Sequence, residues 1–154
     1  MENAMEMVQR YEAFASSVAK IFRSIQKIEN EEMKKYNLKG AFAQYLVVMD
    51  RYPDGITPTE LYDVTGKDKA IVSRAVSEMI EKGLITKPNI PGYRVPLFLT
   101  DKGKEAAAYV SERASLVVKK AAVHIGEKQL EGFYKRLEIL GENLHELSNH
   151  GLEE

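Results

Sequence analysis

Apolar residues recur at alternating steps of three and four from Ala4 through Met7, Tyr11, Phe14, Val18, Ile21 and Ile25 to Ile28. This a/d heptad seam predicts one long N-terminal helix that packs along another helix. Leu130, Phe133, Leu137, Leu140, Leu144 and Leu147 repeat the pattern near the other end. The two seams can pair with each other inside one chain or meet a second copy. Narrow seams suit helix pairs better than a broad globular core, and we expect a homodimer.

Between the seams the elements shorten. Phe42, Tyr45, Leu46 and Met49 mark an amphipathic helix that ends before the turn Pro53-Asp54-Gly55. Thr57 then reads as an N-cap, Pro58 as the first helical residue and Glu60 as the closing member of a capping box. Ile56 and Leu61 stand at the positions of a hydrophobic staple. Gly66 breaks this helix after about two turns. A second helix follows from near Asp68 to Lys82, with Gly83 at its end and Val72, Ala75, Val76, Met79 and Ile80 as its inner face.

After Gly83 the period changes. Leu84-Ile85-Thr86 is short and β-prone, Pro88-Asn89-Ile90-Pro91-Gly92 is a turn cluster, and Tyr93, Val95, Leu97 and Leu99 alternate with Arg94, Pro96 and Phe98. The segment predicts a β-hairpin, with Pro96 holding its second strand to an edge or a bulge. Thr100 caps a further helix running to about Val123, and Gly126 breaks the chain before the C-terminal seam.

Charge sharpens this picture. The 154 residues carry a net charge of −1, but the stretch Gly66–Lys104 holds eight basic and four acidic side chains, or +4, which leaves −5 for the rest. A basic middle between acidic flanks points to a localised polyanion site. There is no cysteine, so disulfides, thiolate metal sites and cysteine redox switching are excluded. No apolar run approaches the roughly 18 residues of a membrane-spanning helix. The acidic N-terminus is unlike a signal peptide, and we expect a cytoplasmic protein.

A short capped helix, a glycine turn and a longer second helix form a helix-turn-helix. The second helix of such a unit enters the major groove, where the base pairs are distinguishable by their edges. Lys69, Ser73, Arg74 and Ser77 supply outward donors, with Lys67 in the turn. Arg74 suits a bidentate bond to guanine. Lys87 and Arg94, on the hairpin that follows, suit phosphates or the minor groove.

The run from Ile71 to Ile85 (IVSRAVSEMIEKGLI) resembles the recognition helix of the MarR family of winged helix-turn-helix regulators. Leu99-Thr100-Asp101-Lys102-Gly103 resembles the LT-x-x-G segment that follows the family's wing. The resemblance spans nearly the whole order of elements. It implies a mainly α fold with a small β-hairpin wing, in which residues 38–103 form the DNA-binding domain and residues 1–34 and 104–154 a helical dimerisation region. It further implies a homodimer that binds double-stranded DNA at a pseudo-palindromic operator, often as a repressor, and is released by a small aromatic effector. Tyr11, Tyr36, Phe42 and Tyr45 are the candidate pocket residues for such an effector. Two features depart from the family pattern: Gly92 stands where an aspartate commonly steadies the wing arginine, and the interval from Arg94 to Leu99 is one residue short.

Little points to an enzyme. Phosphate-loop and dinucleotide-binding motifs are missing, and no cofactor or metal is expected. His145 and His150 are five apart, so on a helix they do not share the face that zinc ligands at i and i+4 share. His124 is isolated and reads as a polar helix-end residue. The alternative is a winged-helix module that binds protein instead of DNA, since one fold hosts both uses. Ile71 and Tyr93 are then the candidate apolar anchors.

Overall fold

The computed structural model describes residues 3–92 and 94–152. Along them run α1 (Ala4–Lys34), α2 (Phe42–Asp50), α3 (Pro58–Thr65), α4 (Lys69–Glu81), β1 (Ile85–Thr86), β2 (Phe98–Leu99), α5 (Asp101–Ala121) and α6 (Glu127–His150). The chain divides into two compact units, one up to Arg113 and one from Ala114 onward, the division falling within α5.

The first unit is built on a single core. Phe42, Tyr45, Leu46 and Met49 of α2 are buried with Leu61 of α3 and with Val72, Ala75, Val76 and Met79 of α4. Met33 near the end of α1 joins them, as do Ile85 and Leu97 at the base of the wing. From α5 come Gly103, Ala106, Ala107 and Val110, and these small side chains let that helix lie close to the sheet. Ile80 departs from expectation: it is 39% exposed. The buried stripe of α4 is centred between Val72 and Met79, and Ile80 falls past its edge in the last turn.

Local signals account for the helix ends. Thr57 Oγ1 accepts from the Glu60 backbone N–H (3.3 Å) while the Glu60 carboxylate accepts from the Thr57 N–H (2.8 Å), closing the capping box. Gly66 ends α3 at φ 62°, in the left-handed region that glycine enters without a Cβ clash. Asp68 then caps α4 through the Ala70 N–H at 2.8 Å.

The wing is shorter in paired strand than its alternation suggests. Ile85 pairs with Leu99 and Thr86 with Phe98 in an antiparallel register. Leu97, one residue upstream, instead bridges to Ile56 with N–H···O distances of 2.8 and 3.1 Å. Pro88 and Pro96 have no N–H to give to a ladder, which stops the hairpin extending toward its tip. Tyr93 lies outside the described residues.

A compact knot joins the wing base to α5. The Thr100 hydroxyl donates to the Gly83 carbonyl at 2.6 Å and accepts from the Gly103 N–H at 3.0 Å, and the Thr100 N–H donates to Leu84 O at 3.0 Å. Lys102 Nζ donates to the Lys82 carbonyl at 2.9 Å, placing a cation at the negative C-terminal end of α4. Gly103 packs so closely on Leu84 that an added Cβ would overlap the Leu84 carbonyl oxygen. The glycine of the LT-x-x-G segment is thereby explained by contact, without appeal to flexibility.

In α1, which is 31 residues long, Met7, Tyr11, Phe14, Val18, Ile21, Ile25 and Ile28 are all exposed. Glu32 ties the end of this helix to α5: its carboxylate accepts from Tyr109 Oη (2.7 Å), from Arg113 Nε (2.8 Å) and from Lys35 Nζ (2.8 Å). These bonds hold the Glu32 carboxyl down at about 2, Lys35 contributing most. Tyr36 stacks at a tilt on Tyr109, their ring centroids 4.6 Å apart.

The second unit consists of the end of α5 and α6. His124 sits in the turn between them at φ 72°, a helix-end position. On α6, Phe133, Leu137, Leu140, Leu144 and Leu147 form a stripe of exposed residues. No helix among the described residues is long and apolar enough to cross a membrane.

Candidate nucleic-acid interface

Helix α4 carries two chemistries on opposite sides. Val72, Ala75, Val76 and Met79 face the core. Lys69, Ala70, Ser73, Arg74 and Ser77 are exposed on the other side, where steps of three and four stack them in rows. The Ser77 hydroxyl donates to the Ser73 carbonyl at 3.1 Å. The resulting strip is polar and cationic at its N-terminal end. Toward the C-terminal end Glu78 is paired with Lys39, in the segment before α2, at 2.7 Å, so its charge is offset.

Lys67 is placed differently from Lys69. It is half-buried, with Nζ 5.2 Å from the centroid of the Tyr45 ring, within the range of a cation–π contact. It also lies within electrostatic reach of Glu29 on α1. Burial pushes the Glu29 carboxyl above its usual range, opposed by a hydrogen bond from Gln44 (3.1 Å) and by the Lys67 charge. Lys67 thus faces inward and links the helix-turn-helix turn to α2 and α1.

Lys87 and Arg94 are both exposed on the wing. Arg94 lies in the irregular arm four residues before β2, and its charge helps hold Glu60 below the ordinary carboxylate range. The larger contributions to that shift come from the Thr57 backbone N–H and hydroxyl.

The four aromatic residues of the expected pocket do not converge within one chain. Phe42 and Tyr45 are packed in the core. Tyr36 is engaged with Tyr109, and Tyr11 is 71% exposed in the second turn of α1, about 35 Å along that helix from its end. Burial raises the Tyr45 hydroxyl above its usual range, and this oxygen has no hydrogen-bond partner among the described residues. An open groove of about 750 Å³ runs along the second half of α1, lined by Arg23, Lys27, Asn30 and Leu38 among others. None of the four aromatic residues lines it.

The sequence reading missed three features of this surface. Lys102 capping α4 was hidden because it acts through a backbone carbonyl. The Lys39–Glu78 and Arg94–Glu60 proximities join residues far apart in the chain, which no local pattern reveals.

Residues 36–92 match the family model described as MarR family. That match covers the helix-turn-helix and the first arm of the wing. The matched segment contains α2, α3, α4 and β1. Among solved structures, a MarR family transcriptional regulator from Listeria monocytogenes in complex with 26mer DNA matches with a TM-score of 0.80 at 22% identity, covering 100% of this chain and 99% of that one. A SlyA-like transcription regulator from the same organism matches at 0.77 and 24% identity over 90% and 95% of the two chains. The S. aureus MepR–DNA complex matches at 0.73 and 13% identity over 85% and 96%. At these identities the structures establish the shared fold, a MarR-type winged helix with long terminal helices. A search of curated proteins gave no match.

Proposed function

We propose that this chain is a sequence-specific double-stranded-DNA-binding transcriptional regulator, acting as a homodimer on a pseudo-palindromic operator and repressing by occupying it. The observation that carries this reading is the exposed strip of α4. Lys69, Ser73, Arg74 and Ser77 stand opposite a fully apolar inner face, on a MarR-type winged helix whose local charge is positive. A helix so built can enter the major groove with donors directed at base edges. Lys87 and Arg94 would meet phosphate or the minor groove beside it. Two of the similar structures are complexes with DNA, which supports the same reading.

Dimerisation is supported by the exposed seams of α1 and α6. Apolar stripes of that length are rare on soluble monomers and usually mark an interface. A two-fold dimer implies two symmetric half-sites with centres about one helical turn of DNA, or a multiple of it, apart. Release by a small aromatic effector rests on family resemblance alone, and the dispersed aromatic residues lend it no support.

The test is footprinting and binding on the region upstream of the protein's own gene, repeated with Arg74→Ala and Lys87→Ala on operator and scrambled duplexes at several salt concentrations. Arg74→Ala should cost roughly 1–3 kcal/mol on the operator and relax one position per half-site. Lys87→Ala should weaken all sequences alike and lower the salt slope by about one. Equal loss on both duplexes for Arg74→Ala would demote that arginine to a phosphate contact. No loss for either variant would remove this surface from DNA.

A further inference from the structure

The first turn of α4 exposes one large aliphatic side chain. Ile71 is 47% exposed, although the helix has an inner face in which Val72 and Ala75 on either side are buried. In the free chain this placement gains nothing. A β-branched residue loses side-chain freedom in a helix, and the apolar surface stays in water. The side chain also leans toward the helix N-terminus, the end that meets base edges in helix-turn-helix docking. Of its neighbours three and four residues on, Arg74 is exposed and Ala75 is buried.

These neighbours decide what chemistry covers it. A protein-binding face would surround an exposed isoleucine with further apolar anchors. Here the exposed side of α4 carries Ala70, Ser73, Arg74 and Ser77, with no second large apolar side chain before Ile80 in the last turn, a composition suited to a polyanion that offers an isolated apolar group. The major groove offers one such group, the C5 methyl of thymine. Ile71 and Arg74 are three apart, so their Cβ atoms are about 5–6 Å from each other, a span of one to two base-pair steps at about 3.4 Å each.

We propose that Ile71 is a specificity-determining residue that packs on a thymine methyl within about two base pairs of the guanine read by Arg74. This rests on the DNA-binding function proposed above. Ile80, the other exposed aliphatic of α4, lies in the last turn and serves as the internal control.

The experiment uses a duplex selected by the full-length wild-type chain from a random pool. Each thymine is replaced in turn by deoxyuridine, which deletes only the methyl group and leaves every hydrogen bond in place. For the wild type, one position per half-site should lose about three- to tenfold in affinity, the effect of exposing one buried methyl. In Ile71→Ala the same replacement should be silent, in Ile71→Val it should keep an intermediate effect, and in Ile80→Ala it should match wild type. Circular dichroism and the weaker, non-specific binding confirm that each variant is folded. The proposal is overturned if deoxyuridine has the same effect in wild type and Ile71→Ala, or if no thymine responds. It is also overturned if Ile71→Ala leaves all DNA binding unchanged, in which case the side chain serves a protein partner. Failure of the wild type to select any duplex would instead remove DNA binding itself, and the thymine contact with it.

Discussion

Replacing Gly103 with alanine is the sharpest test of how the wing is fixed to the body of the domain. The new methyl would overlap the Leu84 carbonyl oxygen and approach the Leu84 carbonyl carbon to 3.0 Å and Leu99 Cδ2 to 3.2 Å. Backbone stands on one side and a packed core on the other, so no flexible side chain can yield. Restoring ordinary van der Waals separation requires α5 to withdraw by roughly an ångström. That movement strains the bonds from Thr100 Oγ1 to Gly83 O (2.6 Å) and from Thr100 N to Leu84 O (3.0 Å), each contributing about 1 kcal/mol. Overpacking itself costs typically 1–3 kcal/mol, while alanine recovers up to about 1 kcal/mol of helix propensity. The net expectation is about 2–4 kcal/mol of destabilisation, or a drop in Tm of about 5–15 °C for a chain of this size. Gly83→Ala is the comparison: its methyl meets open space and only the φ of 70° is strained, so it should cost about 1–2 kcal/mol. Urea denaturation followed by circular dichroism, at one fixed protein concentration so that the proposed dimerisation would contribute equally to each, measures both. A Gly103→Ala protein with an unchanged or higher midpoint would refute the close-contact argument.

Three further outcomes are expected. The Glu32 carboxyl is held at about 2 against an ordinary 4.5, so its contribution to stability is complete above pH 4.5 and is lost as pH falls toward 2. Glu32→Gln should cost about 1–2 kcal/mol at neutral pH, less than the whole shift implies because the group stays partly in water, and the difference from wild type should vanish in acid. Tyr45→Phe removes a buried hydroxyl with no partner and should leave stability unchanged or raise it by up to about 1 kcal/mol; a loss above that would reveal a hydrogen bond at this oxygen. Charged residues at Leu137 and Leu140 should yield a monomer or an unfolded chain by ultracentrifugation, and a dimer of undiminished stability would exclude the α6 seam from the interface.

Elements whose cause is local were legible in the chain. The capping box at Thr57-Glu60, the Asp68 cap and the left-handed Gly66 each depend on residues within a turn of one another, and they set the helix-turn-helix boundaries to within a residue. The seams were equally plain because a period of three and four repeats seven times in α1. What escaped depends on distant partners. Glu32 meets Tyr109 and Arg113 across more than seventy residues, and nothing in its neighbourhood distinguishes it from Glu31. Lys67 looked like its outward neighbour Lys69, and only the tertiary position of the Tyr45 ring turns it inward. The alternation from Tyr93 to Leu99 promised a longer strand because periodicity registers which side chains are buried, not which backbone groups find partners. Tyr36 and Tyr11 shared a residue type and a neighbourhood on paper, but a continuous helix holds them apart.

The two ends of the wing are anchored separately. The incoming arm is fixed through Leu84 and β1, the outgoing arm through the Leu97 bridge to Ile56 as well as through β2. The intervening segment, from Lys87 to the buried Val95, therefore closes a loop between points that stay in place whatever lies between them. Closing such a loop is entropically forgiving: doubling its length costs only about 0.6 kcal/mol. Insertions and deletions there change reach without disturbing the domain, whereas α4, bound to the core on one side, has no such latitude. Between Lys87 and Gly92, short of the buried Val95, this architecture can lengthen, shorten or be re-sequenced over evolutionary time while its fold stays intact.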